Sequence, residues 1–433
     1  MNPLRPSDNF PSVLMKFSVS PWTIALTGMV SLAVAMGIGR FAFTPLLPMM
    51  LNDGVIGLSA ASWLATANYV GYLVGALLCM FQPWLWARFP RLPSLAFTQL
   101  VRGGLLATAL LTLAMAWTDM PAWPLLRFLA GVTSGVVFVF TSGWCLSQLA
   151  RLGFPGMGGV IYMGPGAGIV LSGLFARGML AWEWAAATGW LIFGLLAFML
   201  TALVWRKLKV SDERLLPLSS RLQNDANLTS AAARIGHGPV EMALLTMAYG
   251  IAGFGYIITA TFLPVIARAA LPSSPWLDLF WPLFGVGVMT GAWLSTRIRP
   301  GGDLRWLLLC GYLIQAFAIG ISLWSPSLLG FAIGSLFLGL PFTAISFFAM
   351  QEVRRLRPDT AASFMGLLTA TYGVGQILGP PLVAVLMHSA RSPGETFTLS
   401  LQIAAASLLL GAAIFGWMAR VYPVKRPSLK ADL

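Results

Sequence analysis

From Gly37 the chain reads GIGRFAFTPLLP, and from Gly253 it reads GFGYIITATFLP, two segments 216 positions apart that share both glycines and the Leu-Pro ending. Gly71 and Gly75 recur at the same offset as Gly287 and Gly291. Further on, GGVIYMGPGAGIVLSG from Gly158 is matched by MGLLTATYGVGQILGP from Met365, at an offset of 207. Half of this chain therefore repeats the other half, and whatever the first half folds into, the second must fold into again.

Each half holds six apolar stretches. They are predicted as helices over residues 21–51, 59–81, 93–116, 121–150, 157–181 and 185–206, then 240–267, 276–296, 304–323, 327–350, 360–388 and 397–420. Each reaches the roughly 20 residues a helix needs to cross the hydrocarbon core of a bilayer. Composition agrees: 58% of residues are hydrophobic, 9% are charged and the mean hydropathy is +0.80. Soluble domains carry about 25% charged residues. Alternating segments of strand length are not found, which excludes a barrel. The first apolar run is too long for a cleavable signal.

The basic residues set the expected orientation. Counting from an inside N-terminus, 21 of the 27 Lys and Arg fall in inner segments, while the outer loops hold only Arg177, Arg268 and Arg391. That bias places both termini in the cytoplasm of a bacterial inner-membrane protein. It divides the chain into a cytoplasmic tail over 1–20, a first bundle over 21–206, a cytoplasmic linker over 207–239, a second bundle over 240–422 and a cytoplasmic tail over 423–433. The net charge of +13 is then a membrane-orientation signal, and no nucleic-acid partner is expected.

Enzyme chemistry finds no footing. The two histidines, His237 and His388, lie near helix ends, and no HExxH, nucleophile elbow or phosphate loop is present. The three cysteines, Cys79, Cys145 and Cys310, all lie inside apolar stretches and indicate neither a disulfide framework nor a metal site. No cofactor is expected. A channel would need a repeated pore loop or a ring of charge, and neither occurs.

Twelve spans, a parallel six-plus-six repeat, internal termini and a long central loop resemble the major facilitator superfamily across the whole chain. RFLAGVTSG over 127–135 resembles its fourth-helix pattern, and Gly164, Pro165 and Gly168 partly match the glycine-proline pattern of antiporter fifth helices. GIGRFAFTPLLPMM in helix 1, NYVGYLVGALL in helix 2 and GVGQILGPPL in helix 11 look like the YbfB/YjiJ branch. The resemblance implies an all-α integral membrane protein of twelve transmembrane helices in two pseudo-symmetric six-helix bundles, with helices 1, 4, 7 and 10 lining a central cavity. It also implies transport of a small molecule by alternating access, with protons as a candidate coupling partner. One departure stands out. Where the superfamily carries an acid after helix 2, this chain has Cys79, and the second copy has Ser295. The nearby Arg88, Arg91, Arg297 and Arg299 are then read as headgroup contacts.

Charges inside the spans carry the sharper chemistry. Arg40, Arg102 and Arg127 fall within helices 1, 3 and 4, while no Asp or Glu falls deep in any predicted span. An arginine at mid-membrane costs about 2.5–3.5 kcal/mol on insertion scales, so it faces a partner or water. Arg102 is read as a peripheral, snorkelling group, and Arg127 equally as a structural or a ligand-binding one. Arg40, among Gly37, Gly39 and Pro45, is the first candidate for binding an anionic solute, with Arg127 assisting. Its repeat partner Tyr256 is expected to face it across the axis, and Gln376, Asn68 and Tyr69 complete the candidate set. Proton coupling would need an end residue such as Asp53 or Asp278. Two functions compete: a secondary transporter of a small organic anion, acting as a monomer, and an exporter of amphipathic or drug-like compounds. Paired glycines four apart (Gly71 and Gly75, Gly131 and Gly135, Gly164 and Gly168) are expected to pack helices.

Overall fold

The computed structural model describes residues 20–89, 96–117, 121–209, 238–271, 274, 276–298, 302–357, 361–389 and 392–423. The tail 1–19, most of the linker 207–239 and the end of the C-terminal tail lie outside them. Among the described residues there is no strand, and twelve helices are long and apolar enough to cross a membrane. They are α1 (Pro21–Asn52), α2 (Leu58–Arg88), α3 (Phe97–Ala114), α4 (Trp123–Arg151), α5 (Gly158–Ala181) and α6 (Ala186–Trp205) in the first half. The second half has α7 (Pro239–Ala270), α8 (Leu277–Arg297), α9 (Leu304–Trp324), α10 (Leu328–Leu356), α11 (Ala361–Ser389) and α12 (Pro393–Val421). The end of the bundle that carries Pro21 and Val421 is here the terminal face, and the opposite end the far face.

Helix ends follow local chemistry. Proline opens α1, α7 and α12, where its missing N–H costs nothing. Side chains of Asp303, Ser327 and Ser392 accept from the first-turn amides of α9, α10 and α12. Asp53, at the end of α1, accepts from the Ala186 amide at 2.6 Å and so caps α6. Asp278 is ion-paired with Arg268 at the same face. Both acids that the sequence offers for proton coupling thus have partners at helix ends.

Glycine sets how close the helices come. A Cβ at Gly71 or Gly75 would strike the backbone of Phe128 or Val132, and one at Gly131 the carbonyl of Asn68, so α2 and α4 cross in backbone contact. The second half repeats this at α8 and α10, where Gly287 and Gly291 meet Leu336 and Leu340, and Gly339 meets Phe284. In lipid, where apolar side chains gain little from leaving the solvent, such close packing holds helices together.

The halves meet through α2 against α11, α5 against α8, and the last part of α1 against α7. Toward the far face the junction is closed: residues 41–50 of α1 are all buried, as are residues 255–264 of α7. Toward the terminal face, α4 and α10 are not principal neighbours, and Phe138, Tyr162, Phe347, Met350 and Tyr372 are half-buried.

The terminal end of the second half departs from the sequence reading. α10 runs past residue 350 to Leu356, carrying Glu352 into the protein. Arg305, expected among the inner-loop arginines, is fully buried; it bonds Glu241 at 2.9 Å, Asp303 at 2.9 Å and Glu352 at 3.3 Å. It also donates to the Tyr422 and Met418 carbonyls at 2.7 and 3.2 Å, and Arg355 reaches Glu352 at 2.8 Å. The cluster ties α7, α9, α10 and α12 together at one end. Arg305 and Arg355 are thus committed to the fold.

Candidate functional site at the junction of the halves

The site begins with a break in α1. Pro45 has no N–H, and the glycines at 37 and 39 weaken the helix before it. The chain widens into a π segment over Ala33–Ile38: Gly39 N donates to Val34 O and Phe41 N to Met36 O, each five residues back. Such bulges recur at functional sites because they free backbone groups. Thr44 N then bonds Phe41 O at 3.2 Å instead of Arg40 O.

Polar side chains of α4 take the carbonyls left over. Arg127 donates to Gly39 O at 3.1 Å and Arg40 O at 3.0 Å, and Ser134 donates to Ala35 O at 2.6 Å. Arg127 also lies over the rings of Phe43 and Trp190, at 5.1 and 6.0 Å. Its guanidinium holds the shape of α1. Asn68 donates to Arg127 O at 2.9 Å, which makes it part of the α2–α4 contact. Arg102 donates to the Trp205 carbonyl at the end of α6 and lies over its ring, away from the junction.

Arg40 faces the other half. It lies 12 residues before the end of α1, Gln376 lies 13 before the end of α11, and Tyr256 lies 14 before the end of α7. At about 1.5 Å per residue all three sit roughly 20 Å from the far face. They are joined: Arg40 donates to Gln376 Oε1, and Gln376 Nε2 donates to the Tyr256 hydroxyl. Beside this relay, Tyr69 and Thr261 hydroxyls are 2.8 Å apart, and Thr261 donates to Ile257 O, which leaves Tyr69 as the donor across the junction. Gln376, Tyr256, Tyr69 and Arg40 are each 3% exposed or less. The guanidinium lies over Tyr72 at 4.2 Å, Tyr69 at 5.0 Å and Phe41 at 5.2 Å, contacts that partly offset the loss of water around it.

Of the six sequence candidates, four converge on one point (Arg40, Tyr256, Gln376, Tyr69), while Arg127 and Asn68 brace the helix behind it. Among the described residues, no carboxylate pairs with Arg40 or Arg127, and the Nε of each is buried without a partner. α2 and α11 contribute as much to the site as α1 and α7, and α10 contributes Phe342, 4.9 Å from Tyr256.

Sequence reasoning missed Tyr72, Tyr249, Tyr372 and Phe342. Tyr372 stacks between Tyr249 and Tyr256, at 4.8 and 5.9 Å. The signal was available in the spacing. Tyr72 is three residues beyond Tyr69, Tyr372 four before Gln376 and Tyr249 seven before Tyr256, all same-face intervals of a helix.

No curated protein matches this sequence. Among solved structures, a variant of the nucleoside transporter NupG superposes with a TM-score of 0.67 at 13% identity, covering 92% of this chain and 99% of that one. A D-xylose-proton symporter superposes with a TM-score of 0.66 at 14% identity, covering 91% and 97%. At that identity the likeness is one of fold. The family described as "Uncharacterised MFS-type transporter YbfB" matches residues 32–416. A fold of two six-helix halves, with that match across most of its length, makes this chain an integral membrane transporter that belongs to the YbfB-type family of the major facilitator superfamily.

Proposed function

We propose that this transporter is a secondary carrier of a small organic anion, working as a monomer by rocking of its halves, with Arg40 as the anion-binding group. One observation carries the reading: Arg40 is a buried cation at the junction that donates to the neutral amide of Gln376 and pairs with no carboxylate among the described residues. An amide cannot offset a full charge, and a carboxylate entering from the terminal face can, through the paired hydrogen bonds a guanidinium offers. Low-dielectric walls strengthen that attraction over its value in water. Arg127, by holding the Arg40 carbonyl, fixes where the guanidinium points.

The excess of Lys and Arg around the terminal face supports a cytoplasmic location for it in a bacterial inner membrane. The half-buried rings on that side then correspond to an inward opening. No nucleotide-binding motif occurs in the sequence, so the solute gradient or protons supply the energy. With Asp53 and Asp278 engaged at helix ends, a proton carried by the solute's own acid group is the simplest coupling.

A second reading is export of amphipathic compounds, for which the described residues offer only an open apolar groove between the terminal ends of α7 and α11, lined by Met242, Met247, Phe364 and Leu367. Uptake into liposomes of labelled mono- and dicarboxylates, beside a lipophilic dye, separates the two. Carboxylate uptake that needs no ATP and is lost in Arg40→Gln supports the carrier reading. Dye movement alone, unchanged in Arg40→Gln, supports the exporter.

A further inference from the structure

Two series of aromatic rings flank Arg40, one from each half. In the first half Tyr69 and Tyr72 lie under the guanidinium, Tyr72 is 6.3 Å from Phe138, and Phe138 is 6.2 Å from Tyr162. In the second half Phe342 meets Tyr256 edge-on at 4.9 Å, and Tyr256, Tyr372 and Tyr249 form a column with interplanar angles of 22° and 29°. Phe138 lies 11 residues beyond Arg127, three turns along the same face of α4, which turns it into the first bundle rather than to lipid. Both series run from the level of Arg40 toward the terminal face. Tyr372, Phe138 and Tyr162 are the half-buried members, and the rings nearest Arg40 are buried.

We infer that the solute is an aromatic carboxylate: a flat ring that lies between the two ring series with its carboxylate on Arg40. The inference rests on the anion reading of Arg40. Ring walls favour a planar π system over an aliphatic body of equal size, because aromatic pairs attract through their quadrupoles as well as through burial. Cations are disfavoured, since the described residues place a guanidinium and no carboxylate beside these rings. To reach Arg40, the carboxylate takes the place of Gln376 Oε1. Gln376 Nε2 donates to the Tyr256 hydroxyl independently of Arg40, so that bond does not depend on the one the carboxylate replaces.

Three probes of matched size test this: phenylacetate, cyclohexylacetate and phenylacetamide, each titrated into the purified full-length transporter. The expected result is phenylacetate binding about tenfold tighter than cyclohexylacetate, a ratio in line with aromatic pairing, and no saturable binding of phenylacetamide. Tyr372→Leu should erase the preference between the two acids, while Tyr372→Phe keeps it, which separates loss of the ring from loss of fold. Equal binding of both acids overturns the aromatic inference and leaves the anion reading standing. Phenylacetamide bound as well as phenylacetate overturns the anion reading, and with it this one. Absence of phenylacetate binding to a folded wild-type protein overturns the inference outright.

Discussion

The Thr44 hydroxyl donates to the Ala260 carbonyl at 3.1 Å, and the two residues stand 216 positions apart, which is the offset of the repeat itself. Residues at the same place in two copies touch only where the symmetry axis passes between them. The contact therefore locates the axis at the closed, far-face side of the junction. The repeat is broken one residue on: Pro45 in α1 corresponds to Thr261 in α7. Proline opens α1 into its π segment, whereas Thr261 keeps α7 continuous and spends its hydroxyl on Ile257 O and Tyr69. Arg40 lies on the broken copy and Tyr256 on the unbroken one.

Tyr69 and Thr261 form a hydrogen bond between the halves that breaks under the proposed rocking when the far face opens. Tyr69→Phe and Thr261→Val are each expected to cost about 0.5–1.5 kcal/mol of stability in the far-closed state. The double variant should cost little more than either single one, since both remove the same bond. Melting temperatures of the four proteins in one detergent check this; strict additivity would place the bond outside the closed state.

Arg127 is assigned to the backbone of α1. Arg127→Gln leaves the Gly39 and Arg40 carbonyls short of donors and is expected to lose about 2–3 kcal/mol. Protein that remains folded should show slower transport, because Arg40 is no longer held in place. Turnover and thermal stability measured on the same preparation should fall together. Lost transport at unchanged stability would instead make Arg127 a ligand group.

Glycines offer a contrast within one protein. Gly71→Val drives a side chain into the Phe128 backbone, and the α2–α4 contact cannot form, so the variant should fail to elute as a single folded species on gel filtration. Gly103, whose added Cβ meets nothing within 4 Å, should accept alanine with a small gain, since alanine favours the helix by about 1 kcal/mol.

The helices, the repeat and the packing glycines were legible in the sequence because lipid imposes span length and close approach on every chain it holds. Arg40 stood out through the cost of a buried charge and Tyr256 through the repeat, whereas Gln376 was only one further polar residue in helix 11, and its contact with both depends on the fold. The role of Arg127 was not legible, since it depends on which carbonyls the π segment frees, and that follows from hydrogen-bond choices no residue pattern displays. The burial of Arg305 was hidden for a related reason. Its partners Glu241 and Glu352 come from α7 and α10, far apart in the chain, and each alone looks like a helix-end charge.

That buried cluster gives a further test. Arg305→Met leaves Glu241 and Glu352 without the cation between them and is expected to cost about 3–5 kcal/mol. Folded yield on gel filtration should collapse. Arg354→Ala, which removes an exposed arginine from the same helix end, should leave the yield near wild type.

The anion-binding role of Arg40 is tested most directly by equilibrium titration of phenylacetate into wild-type protein and into Arg40→Lys and Arg40→Gln, each first shown to be folded. Lysine keeps the charge but not the two-pronged geometry. The expected result is affinity about tenfold weaker for Arg40→Lys and at least about 100-fold weaker for Arg40→Gln, in keeping with loss of a charge-assisted pair worth some 2–3 kcal/mol. Wild-type affinity in Arg40→Gln would contradict it, and would make Arg40 a packing residue.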